Sequence, residues 1–202
     1  PLWCLSLDEW RQQFFEWVRR PEPQALLNAT IFFDLRPLCG DADLGETLRS
    51  LLLSLTVETP AFLHLMATNA LHAPAPLNFR GEVAGESGES GEQVDLKKFG
   101  SRIFVDAARI FALSGGARAV NTSARLQDAG LANGLQADEI VAVDAAFSHI
   151  LRLRLAHQVA AGPEGGNGVP LASLNDVDRA ILKESLKQAR RLQQRLKLNY
   201  GL

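Results

Sequence analysis

Apolar residues recur at three- and four-residue intervals along most of the chain, and the interruptions fall at proline, glycine and capping residues. Ser6-Leu7-Asp8-Glu9 has the form of a capping box and precedes Trp10, Phe14, Trp17 and Val18 at helical spacing. A helix from about Ser6 to Arg20 is predicted, stopped by Pro21 and Pro23. Gln24 to Leu35 is a second apolar segment, read as helix, that closes at Arg36-Pro37. Asp41 or Asp43 caps a third helix through Leu55, and Thr59-Pro60 supplies an N-cap with proline at the first helical position for a fourth, to about His72.

The pattern then changes. FRGEV and QVDLK flank AGESGESGE, a stretch too polar to bury, which predicts an exposed β-hairpin with a mobile tip. Helical spacing resumes from Ser101 to Leu113 and again from Asn121 to about Ala129. A long helix is predicted over Ala137 to Ala161, with Ile140, Val143, Phe147, Ile150, Leu151 and Leu155 on its apolar side. GPEGGNGVP breaks it, and Ser173 to Leu198 forms a second long helix with Leu182, Leu186, Ala189, Leu192 and Leu196 inward. The fold class is therefore mainly α: a helical bundle with two long antiparallel C-terminal helices and one small β-hairpin insertion.

Composition narrows the function classes. The 202 residues carry a formal charge of -2, and 47% are hydrophobic, values of an ordinary globular chain that point to neither a nucleic-acid nor a membrane partner. The two cysteines, Cys4 and Cys39, belong to no CxxC or Cys/His cluster, and no apolar run reaches spanning length, so a cytoplasmic protein is expected. A chain that starts at Pro1, directly in a Trp-rich segment, reads as a piece of a longer protein.

Candidate chemistry is sparse. Asp41-Ala42-Asp43 is a DxD of the kind that holds magnesium, but both carboxylates are placed to cap the next helix, and capping is the preferred reading. His64, His72, His149 and His157 form no metal-ligand spacing; His157 lies one turn beyond Arg154 in LRLRLAHQ. GPEGGNG lacks the lysine and hydroxyl of a phosphate loop. Arg179, Lys183, Lys187, Arg191 and Arg195 recur every four residues, as a solvated face or an anion-binding wall. Asp34 and Arg36, at the end of an apolar run, read as a structural charge pair.

VDLKKFGSRIFVDAARIFAL is denser in charge. Lys97 and Lys98 precede a glycine and a helix start, a place for phosphate, whereas Arg102, Asp106 and Arg109 are spaced to tie helices together, and both readings stand. Together with IFFDLRPLCGD and LRLRLAHQ in this order, the stretch resembles the C-terminal part of a bacterial family of nucleotidyltransferases often joined to CBS or cyclic-nucleotide-binding modules, the part known as the substrate-binding domain. More distantly it is similar to the region after the catalytic core of PII uridylyltransferases and glutamine synthetase adenylyltransferases, where a lysine is followed by a Gly-Gly-hydrophobic-Arg-acid run. Lys97 matches the lysine, Gly100 the second glycine and Arg102 the arginine; Phe99 replaces the first glycine and Ile103 the acid, with Asp106 one turn later.

The resemblance implies residues 1–23 trailing from a nucleotidyltransferase core upstream of Pro1, and a helical substrate-binding domain over 24–202. It implies a non-catalytic accessory role in which Lys97, Lys98, Gly100 and Arg102 bind nucleotide or acceptor. Asp34, Arg36, Asp95 and Asp106 would support that surface, as would Arg109, Arg154 and His157. No catalytic residue, metal or cofactor is expected in this chain; magnesium and a nucleoside triphosphate are expected in the full-length parent. The expected partners are the upstream core, CBS or cyclic-nucleotide-binding modules, a protein acceptor and a second copy, with no membrane or nucleic acid. The alternative is an interaction or dimerisation module of a signal-transduction protein with no transferase activity.

Overall fold

The computed structural model describes residues 3–88, 91–162 and 166–202. Among these residues are α1 (Leu7–Arg19), α2 (Pro23–Phe32), α3 (Ala42–Val57), α4 (Pro60–Ala70), α5 (Arg102–Ser114), α6 (Thr122–Ala129), α7 (Ala137–Ala161) and α8 (Asp176–Tyr200). Three short strands, β1 (Glu86–Gly88), β2 (Gly91–Asp95) and β3 (Gly168–Pro170), complete a mainly α fold. The chain falls into two compact units, one of Pro1–Asn69 with Ala108–Ala132, the other of Ala70–Ala107 with Asn133–Leu202. No single helix among the described residues is long and apolar enough to cross a membrane.

In the first unit the expected caps form. Ser6 Oγ accepts from the Glu9 amide at 3.3 Å while Glu9 Oε2 accepts from the Ser6 amide at 2.6 Å, and Asp41 Oδ1 accepts from the Asp43 amide at 3.0 Å. The first aspartate of the DxD thus caps α3, and Asp43 stands in its first turn. Phe14, Trp17 and Val18 of α1 are buried, and Phe14 packs edge-on against Phe33 with centroids 5.4 Å apart.

The Asp34–Arg36 pair does not form. Helix α2 ends at Phe32 and not near Leu35, and Arg36 is exposed, with no hydrogen bond or ion pair among the described residues. Asp34 instead binds Arg109 through two bonds, of 2.7 and 3.3 Å, and Arg125 through one of 2.6 Å. Burial pushes the Asp34 carboxyl up, and the Arg109 and Arg125 guanidinium groups outweigh it and hold the carboxyl below the usual carboxylate range. Arg125 also donates to Ala119 O at 2.9 Å, and buried Arg49 donates to the carbonyls of Leu35 and Arg118.

The second unit centres on α7 and α8. Gln193, buried on α8, donates to Ala73 O at 2.9 Å and accepts from the Ala75 amide at 3.0 Å, fixing the segment after α4. Asn199 near the end of α8 donates to Asn133 O, just before α7, and Arg152 late in α7 lies 3.7 Å from Asp178 early in α8. The two long helices are therefore antiparallel. Leu182, Leu186, Ala189, Leu192 and Leu196 are buried, as are Ile140, Val143, Phe147 and Ile150. Leu151 and Leu155 are not: they are 39% and 62% exposed, and Leu153 turns inward. The apolar residues of α7 ring more of the helix than one face can cover.

The β-structure also departs from expectation. FRGEV folds on itself, with Asn78 Oδ1 accepting from the Arg80 and Glu82 amides, and β1 lies within AGESGESGE. Glu89 and Ser90, the expected mobile tip, lie outside the described residues. β2 pairs on its other edge with β3, Val94 opposite Val169, so the connection after α7 contributes a strand. Residues 163–165 of that connection lie outside the described residues.

His149 of α7 is buried, its Nδ1 3.0 Å from an Arg152 guanidinium nitrogen. Burial first, then the Arg152 charge, hold the imidazole below its usual value. The unfolded chain takes up this proton near pH ~6.5 and the folded chain only at lower pH, so the stability linked to His149 is complete above ~6.5 and declines as pH falls below it. Urea midpoints measured from about pH 7 to about 5 should fall less steeply for His149→Gln than for the native chain; equal slopes would assign the proton uptake to another group. Removing Asp34 leaves two buried guanidiniums uncompensated, and Asp34→Ala should cost about 3 kcal/mol in a denaturant titration. An unchanged midpoint would mean the network contributes nothing to folding.

Candidate functional site

The local sequence after β2 builds the site. Asp95 Oδ1 accepts from the amides of both Lys97 and Lys98 at 2.8 Å, which turns the chain directly from strand into helix. The first turn, Lys97–Ser101, is a π-turn: the Ser101 amide reaches back to Leu96 O at 2.9 Å, one residue further than in an α-helix. Capping by Asp95 corrects one expectation, because the amides of Lys97 and Lys98 are occupied by a carboxylate and are not open to phosphate.

Gly100 is the reason the turn can press on α7. A Cβ there would stand 3.0 Å from Ile150 Cγ2, tighter than ordinary packing tolerates. Gly100 is buried against α7. Ile150 and Arg154 are four residues apart on one face of α7, and the approach at Ile150 brings Arg154 beside the π-turn.

Lys97, Lys98, Ser101, Arg102, Val105 and Arg154 together line an open cleft of about 340 Å³. Lys98 Nζ lies over the Phe99 ring, 4.5 Å from its centroid, and Arg102 Nε donates to Asp106 at 3.1 Å. Arg154 Nε donates at 3.2 Å to Asn167 Oδ1, which also accepts from Gln158 Nε2 at 3.3 Å. The cleft thus presents four cationic side chains, two of them aimed by hydrogen bonds, together with Ser101 and Val105.

The structure divides the remaining expected site residues. Asp95 and Asp106 support the turn and Arg102. His157, half-buried one turn past Arg154, does not line the cleft. Asp34 and Arg109 belong to the network of the first unit, and Arg36 joins neither group. On the α8 stripe, Lys183 pairs with Glu82 at 2.6 Å, Lys187 with Glu184 at 2.6 Å, and Arg179 donates to Leu171 O at 2.9 Å, so these cations already have partners within the chain. No group of three or more His, Cys, Asp or Glu side chains among the described residues is arranged to hold a metal ion. Sequence reasoning missed Ser101, and it missed Asn167, whose only signal was an amide in a glycine-rich connection. It also missed Arg125 as the partner of Asp34.

Residues 60–200 match the family described as "Putative nucleotidyltransferase substrate binding domain". The match takes in the π-turn, the cleft and both long helices, while Asp34 and Arg36 precede it. No curated protein matches, and no solved structure matches. The chain belongs to this substrate-binding family.

The glycine can be tested without a ligand. Gly100→Ala should lower stability by about 1 to 3 kcal/mol through overpacking, and combining it with Ile150→Ala, which deletes the crowding Cγ2, should cost less than the sum of the two single losses. Thermal melts of the single and double variants measure this; additive losses would mean that Gly100 and Ile150 do not compete for the same space.

Proposed function

We propose that this member of the nucleotidyltransferase substrate-binding family is a non-catalytic accessory domain whose cleft holds the anionic part of a nucleotide or acceptor. One observation carries the reading: Lys97, Lys98, Arg102 and Arg154, distant in sequence in the last case, converge on a single cleft. Like charges so gathered repel one another, and an anion relieves that repulsion while gaining charge-assisted hydrogen bonds. Arginine offers a planar fork for phosphate and lysine a mobile point charge, so the set suits a ligand with several phosphate oxygens. A nucleoside triphosphate is the ligand of this reading, and transfer chemistry with magnesium falls to a separate catalytic core in a longer protein.

A second reading rests on α7, where Val141, Leu155 and Val159 remain 71%, 62% and 75% exposed. These residues would supply a helix-to-helix surface for a second copy.

Isothermal titration with ATP and light scattering on the same samples separate the two. Lys97→Ala should weaken ATP binding by about 1 to 3 kcal/mol with thermal stability unchanged, since Lys97 is exposed. Unaltered ATP affinity in that variant, with a native chain that sediments and scatters as a dimer, would transfer the assignment to the α7 surface.

A further inference from the structure

We infer, on the basis of the anion-binding reading above, that the cleft grips the phosphate chain of a nucleotide without selecting its base. The chemistry of the lining leads there. A base is selected by donors and acceptors set against its edge, and an exocyclic amine in particular needs an acceptor. Lys97, Lys98, Arg102 and Arg154 are donors only. Val105 offers no polar atom, and Ser101 is 5% exposed.

Each acceptor side chain next to the cleft already receives at least one donor of this chain. Asn167 Oδ1 takes the Arg154 and Gln158 donors, Asp106 takes Arg102, and Asp95 takes the Lys97 and Lys98 amides. Stacking does not supply the missing selectivity. The nearest ring, Phe99, lies under Lys98 and lines a different depression with Val94 and Asp95. A base laid on an arginine plane is held equally well whatever its identity, because every base has a π-face.

Charge fixes the other half of the ligand. Four cationic side chains stand against the two carboxylates of Asp95 and Asp106, and the surplus is met better by linked phosphates than by one. The shared chemistry is a polyphosphate chain, with or without a nucleoside attached.

The test uses the 202-residue chain in magnesium-free, low-salt buffer. ATP, GTP, CTP, UTP and inorganic tripolyphosphate are titrated separately, and tripolyphosphate is then used to displace ATP. Their dissociation constants should agree within about threefold, and displacement should be complete. Arg154→Gln and, independently, the exposed Lys98→Gln should weaken all five by a common factor of about 10. One nucleotide bound more than about tenfold tighter than the rest, or ATP that tripolyphosphate fails to displace, overturns base-blind recognition while leaving the anion site standing. Absence of binding by all five overturns the anion site itself and this inference with it.

Discussion

The approach of Gly100 to Ile150 is the constraint on which the candidate site depends. A π-turn carries one residue more than an α-turn, and that residue must be accommodated sideways. Here it is accommodated against α7, at a contact where a methyl group would already stand 3.0 Å from Ile150 Cγ2. Because side chains four apart share a helix face, fixing Ile150 under the turn also fixes Arg154 beside Lys97 and Arg102. The glycine that the distant transferase resemblance singles out is thus a packing residue that helps set where Arg154 stands.

Charge is handled differently in the two units. In the first, a carboxylate is bonded by two buried guanidiniums, and Asp34 thereby holds together segments distant in sequence. Such an arrangement is expensive to break and little available to a ligand. In the second, the lysines and Arg102 project from a rigid turn into an open cleft, where the cost of desolvation is small until a ligand arrives. Of the charges between Val94 and Leu113, Arg109 belongs to the first regime and Lys97, Lys98 and Arg102 to the second. The division answers why one helix starts with so many ionised groups: they serve different units of the chain.

Asp95 does a similar service on a smaller scale. By accepting both lysine amides it fills the helix start with a carboxylate, where an anion could otherwise sit. Side-chain cations of this kind suit phosphate oxygens, and their lack of acceptors separates phosphate binding from base selection.

Much of this was legible in the sequence. The helices, their caps at Ser6 and Asp41, the antiparallel pair at the C-terminus and the cations at 97, 98 and 102 follow from short-range rules, because capping and the 3.6-residue period act within a turn or two. What the sequence left undetermined is which charge meets which. Asp34 has Arg36 two residues away and binds Arg109 and Arg125 instead, since the end of α2 at Phe32 decides where the carboxylate points. Strand β3 and the hold of Asn167 on Arg154 likewise depend on contacts across the fold, where a polar connection gains partners that its own composition does not announce. Local propensity is written residue by residue; the pairing of buried and half-buried charges is chosen by the packing that removes water from them together.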